Sequence, residues 1–95
     1  MTEAAMLGRG DVVEINPLYF LRWEDTQQAH ILLYPEGVVK LNETAGQVLK
    51  RCTGDKSVGD VIAELEQLYT EGDVAGSVMK FLEVSHAKGW IRRKS

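Results

Sequence analysis

The chain has 95 residues, 44% of them hydrophobic and 26% charged, with a formal net charge of −3. That describes one globular domain with a single core and little stability to spare, and its acidic balance disfavours a surface built to neutralise nucleic-acid phosphates. No apolar run approaches the roughly 18–20 residues of a membrane span, and the N-terminal stretch lacks the apolar core of a signal peptide. With one cysteine there is no internal disulfide, so a cytoplasmic protein is expected.

Residues 1–16 mix Gly, Ala and acids without a sustained period. Val12, Val13 and Ile15 could dock as an extended arm, but the default expectation is a flexible N-terminal arm ahead of one domain over 17–95. Leu18 to Trp23 read as a strand and Glu24-Asp25-Thr26 as a turn. Ala29 to Tyr34 form the next strand. Pro35-Glu36-Gly37 then turns the chain back into a third strand, Val38 to Leu41. Pro35 pre-sets φ at the first central position of that turn, and Gly37 is expected to take a positive φ. Three short strands with tight connections predict an antiparallel meander.

After Asn42, the expected N-cap, the period becomes helical. Leu41, Ala45, Val48, Leu49 and Cys52 share one face of a short helix, which Thr53-Gly54-Asp55 ends. Ser57 and Asp60 have capping-box spacing. They open a second helix with the stripe Val58, Val61, Ile62, Leu65, Leu68 and Tyr69. Asp73 caps a third, whose stripe is Val74, Val78, Phe81, Leu82 and Ser85. Gly89 stops it before Trp90-Ile91, a pair that could join the sheet or close the core. Arg92-Arg93-Lys94-Ser95 is expected to be solvated. The fold class is therefore α+β, a winged-helix-like arrangement of a three-stranded antiparallel N-terminal sheet followed by three helices.

Little in this sequence carries reaction chemistry. His30 and His86 lie far apart, and Cys52 sits on an apolar helix face, where it reads as a small buried hydrophobe. One cysteine and two histidines without motif spacing are a weak metal signal. The glycines mark turns and helix ends rather than a phosphate loop, and the acids are scattered over solvent faces. No catalytic residue, no metal and no cofactor is expected. Winged-helix DNA binding is the alternative, but the third helix carries Asp73 and Glu83 beside Lys80 and Lys88, and positive charge concentrates only in the C-terminal tail.

Peptide binding by strand addition fits better. Val38, Val39, Lys40 and Leu41 form a short strand after a tight turn, so one side of it is a candidate open edge. Apolar contacts would come from the third helix, through Ala75, Val78, Met79 and Leu82. Met79 and Val84 could equally just fill the core, and the pattern does not choose. An open edge could also recruit another copy of itself, so a monomer or a homodimer, the strand-exchanged form included, is expected.

Leu32-Leu33-Tyr34-Pro35-Glu36-Gly37, then Leu41-Asn42 with Thr44-Ala45, resembles the PqqD family of pyrroloquinoline quinone biosynthesis. Gly54, Val58, Ile62, Leu65, Tyr69, Val78, Phe81-Leu82 and Gly89-Trp90-Ile91 continue the likeness, which runs from about Pro17 to Ile91. The order and spacing of the first two motifs are specific, whereas the later matches are mostly helix periodicity. Arg22 falls where the family commonly has an arginine. The resemblance implies a RiPP recognition element, a non-catalytic chaperone for ribosomally made and modified peptides. It implies binding of the precursor peptide PqqA as an added strand between the third strand and the third helix. It also implies presentation to PqqE, a radical SAM enzyme. The chain departs from the family pattern at Thr53 and at Ser77, where the family often has aspartate; the second change bears on how the third helix meets a partner.

Overall fold

The computed structural model describes residues 7–94. Two three-stranded antiparallel sheets and three helices enclose one core. The expected meander is present as β2 (Phe20–Glu24), β3 (Ala29–Tyr34) and β4 (Gly37–Lys40), in that spatial order. Its first hairpin is closed by the pair Glu24 and Ala29, and Gln28 takes the left-handed conformation there at φ 52°. The second turn is tighter, since Tyr34 pairs directly with Gly37 around Pro35-Glu36. Gly37 is not among the residues with positive φ, contrary to expectation. A proline at the first central position favours a turn that re-enters the strand without one.

The helices follow their caps. Asn42 Oδ1 accepts from the Ala45 N–H at 2.8 Å, opening α1 (Glu43–Leu49). Ser57 and Asp60 form a reciprocal capping box at the start of α2 (Val58–Leu68). Asp73 accepts from the Gly76 N–H at 2.9 Å at the head of α3 (Val74–Ala87). Each cap satisfies a donor that the first turn leaves orphaned. Glu64 of α2 pairs with Arg51 at 2.9 Å and Lys56 at 3.0 Å, fastening the stretch between the first two helices.

The second sheet, in the order β5-β1-β6, was not foreseen. Val12–Ile15 is its middle strand, β1, flanked by β5 (Thr53–Ser57) and β6 (Ile91–Arg93). The expectation of a flexible arm over 1–16 thus fails from at least Val12 onward, and residues 1–6 lie outside the described residues. Val13 is 0% exposed and belongs to the core with Leu7. The chain ahead of β1 is tied to the head of α2: the Arg9 carbonyl accepts from the Gly59 N–H and the Asp11 carbonyl from the Val58 N–H, both at 2.8 Å. Two steps along β1 span four along β5, so the ladder bulges. Gly54 supplies the positive φ of 89° there, and a Cβ would stand 3.0 Å from Glu14 Oε1.

Trp90-Ile91 leads into β6. Arg92 and Arg93, expected to be a solvated tail, pair with Glu14 at 2.7 Å and Asp11 at 3.1 Å. Asn16 is the corner between the two sheets. Its N–H donates to the Trp90 carbonyl and its side-chain amide to the Gly89 carbonyl, both at 2.9 Å.

Candidate functional site

Strand β4 is terminal in its sheet, so one of its sides has no strand partner among the described residues. The Leu41 N–H donates to the His30 carbonyl at 3.0 Å. Bonded and non-bonded pairs alternate along an antiparallel ladder. In the register Lys40–Ile31, Val39–Leu32, Val38–Leu33 and Gly37–Tyr34, Val39 and Gly37 therefore bond inward to β3. Val38 and Lys40 turn their N–H and C=O groups away from it, giving the edge four backbone groups without a strand partner among the described residues.

The side chains divide differently. Val38 is 58% exposed and Lys40 is also exposed, whereas Val39 packs partly buried against the core. Leu41 is buried. On α3, Val78 and Leu82 are 2% and 0% exposed, so they are core residues rather than a contact surface. Their i, i+4 spacing puts both on the stripe that α3 buries. Ala75 and Met79 are partly buried beside that stripe.

A shallow concavity of about 270 Å³ lies between the α2–α3 connection, the first turns of α3 and Thr44 of α1. Its lining includes Thr44, Tyr69, Asp73, Val74, Ser77 and Val78. Among the described residues its lining takes Thr44 from α1 and none from β4, so the hollow belongs to the head of α3. Of these residues the sequence singled out Val78 as a candidate contact and Ser77 as a departure from the family pattern. The others were read as caps, stripe residues or motif matches, because a hollow between elements leaves no local pattern.

The candidates for chemistry have structural places. Cys52 is buried, its Sγ is 3.5 Å from the Val48 carbonyl, and burial pushes its thiol up to about 12. A thiol held protonated at neutral pH is a poor nucleophile and a poor ligand. His30 stacks edge-on with Trp23 and lies over Gly46, where any Cβ would come within 2.5 Å of its Nδ1. Burial, with Lys50 nearby, holds its imidazole below the usual value. Among the described residues no group of three His, Cys, Asp or Glu side chains is placed to hold a metal ion, and no helix is long and apolar enough to cross a membrane.

These features define a winged-helix-like α+β domain with an open sheet edge at β4. The family model described as coenzyme PQQ synthesis protein D (PqqD) matches residues 29–91. The PqqA binding protein of Methylococcus capsulatus is 37% identical over 81 residues, covering 85% of this chain and 87% of that protein. The PqqA binding protein of Azotobacter vinelandii is 38% identical over 82 residues, covering 85% and 89%. A solved structure is similar throughout: the solution structure of the PqqD truncation of Methylobacterium extorquens PqqCD, a functional and stand-alone RiPP recognition element. It superposes with a TM-score of 0.73 at 26% identity, covering 96% of this chain and 99% of that one. The chain belongs to the PqqD family.

Proposed function

We propose that this protein is a non-catalytic, cytoplasmic chaperone that binds the precursor peptide PqqA along β4 and presents it to the radical SAM enzyme PqqE. The observation that carries the reading is the outward set of Val38 and Lys40 backbone groups on an open edge. An extended peptide satisfies them as an added strand. Each such bond contributes about 1 kcal/mol net, so the edge needs apolar support. Val39, Ala75 and Met79 and the hollow around Ser77 supply it, while Leu41, Val78 and Leu82 hold that surface from beneath. Relatives named for PqqA binding and a neighbour described as a recognition element support the choice of peptide.

Presentation works by effective concentration: a flexible peptide held on a domain that also docks on the enzyme meets it as an intramolecular partner. DNA binding loses ground because Arg92 and Arg93, the cationic cluster it relied on, are engaged with Glu14 and Asp11. The test is an amide-resonance titration of the labelled protein with PqqA and then with PqqE. Shifts should concentrate at Val38, Lys40 and the N-terminal half of α3 when PqqA is added. An unchanged spectrum would refute the reading.

A further inference from the structure

The outer face of the β2–β3–β4 sheet carries two rows of side chains that run to the open edge. Phe20, Leu33 and Val38 are cross-strand neighbours in one row, with Phe20 70% exposed. Two residues further along each strand, Arg22, Ile31 and Lys40 form the next. Ile31 is buried there yet stands outside the main core cluster, flanked by the stems of the two cations. Arg22 is tied to Glu24 at 3.2 Å, whereas Lys40 makes no ion pair among the described residues.

Resting on the reading above, we propose that Val38 and Lys40 select the side chains of the added strand. An apolar residue lies beside Val38, and an acidic residue two positions away lies beside Lys40. Residues directly opposite on neighbouring strands share a face, so an added strand must extend both rows whichever way it runs. An apolar side chain next to Val38 continues the Phe20–Leu33–Val38 row and takes its exposed end out of water. An acid next to Lys40 completes the one cation in the second row that Glu24 does not engage. The order of the two reports direction: acid, any residue, apolar for an antiparallel strand, and the reverse for a parallel one.

A cross-strand pair is worth a factor of roughly 1.5 to 5 in binding, and reversing a charge exchanges attraction for repulsion. The test is titration calorimetry of the full chain and its Lys40→Glu, Lys40→Gln and Val38→Ala variants with PqqA and with PqqA peptides carrying single acid→Lys changes. Thermal melts confirm that each variant is folded. Lys40→Glu should weaken PqqA about ten-fold and Lys40→Gln about three-fold. One acid→Lys peptide should restore binding to Lys40→Glu to within about two-fold of the original. Val38→Ala should cost about three-fold and make binding indifferent to the peptide residue two positions from that acid. If Lys40 serves only to guard the edge against self-pairing, Lys40→Glu binds PqqA as the wild type does and the proposal falls. It falls equally if no single peptide position answers the charge reversal. Failure of the wild type to bind PqqA overturns the parent reading as well, and is distinguishable because it appears before any variant is made.

Discussion

Arg92 Nε donates to Glu14 Oε2 at 2.7 Å, joining β6 to β1 across 78 residues of chain. The pair marks the join of the two ends of the chain, but its own energy is small because both groups reach solvent. The weight lies beneath it, where Val13 is fully buried and Ile15 pairs with Ile91. Glu14→Gln should therefore cost less than about 1 kcal/mol, and Val13→Ala about 2 kcal/mol. Deleting residues 1–16 should abolish cooperative unfolding rather than trim a loose end, since β5 and β6 would both lose their partner. Urea denaturation of the three variants checks this, and a folded truncation would contradict it.

That sheet was hidden in the sequence for a physical reason. Val12–Ile15 and Ile91–Arg93 are too short to show a period, and Thr53–Ser57, reading TGDKS, holds residues that mostly disfavour strands. Their pairing is decided by what lies opposite, far along the chain. The meander and the helix starts were legible because Pro35, Asn42, Ser57 with Asp60, and Asp73 act within a few residues of themselves. The candidate site falls between these cases. The turn and the cap bound β4 and so announced a short strand, but which backbone groups face outward depends on its register with β3. Periodicity likewise gave α3 a stripe without saying what covers it, and Val78 and Leu82 proved to be covered by the core.

Cys52 gives a pH dependence. Its thiol moves from an unfolded value of 9.0 to about 12 because burial disfavours the thiolate. The unfolded chain therefore loses this proton first. The stabilisation is complete below pH 9 and is lost as pH rises from about 9 towards about 12, with a slope of up to about 1.4 kcal/mol per pH unit. Cys52→Ala should flatten that part of the stability curve relative to wild type, measured by urea titration between pH 8 and pH 11. In the native state a thiol reagent should react only at the rate of unfolding. Rapid labelling at pH 8 would refute the buried assignment.

Ser85 is fully buried on α3, and its hydroxyl has no hydrogen-bond partner among the described residues. A buried hydroxyl left unsatisfied costs about 1–3 kcal/mol, and alanine is also the better helix former. Ser85→Ala should raise stability by about 1 kcal/mol and lift the melting temperature by several degrees. Peptide affinity should be untouched, because the residue lies within the core-facing stripe. A melting temperature at or below that of the wild type would show that the hydroxyl is satisfied.

Proline substitution separates the edge as a scaffold from the edge as a binding group. The register assigns the Val39 N–H to the ladder with Leu32, so a proline there removes a bond that holds β4 to β3. Val39→Pro should cost about 3 kcal/mol and lose the strand, with binding lost only as a consequence. At Val38 the N–H points outward, where an edge strand tolerates proline. Val38→Pro should keep the β3–β4 amide pattern and stability within about 1 kcal/mol of the wild type. It should still weaken PqqA five- to ten-fold, the equivalent of one lost hydrogen bond of about 1–1.4 kcal/mol. Amide spectra and calorimetry on the two variants decide it, and equal disruption of the fold by both would overturn the assignment of which groups face the open side.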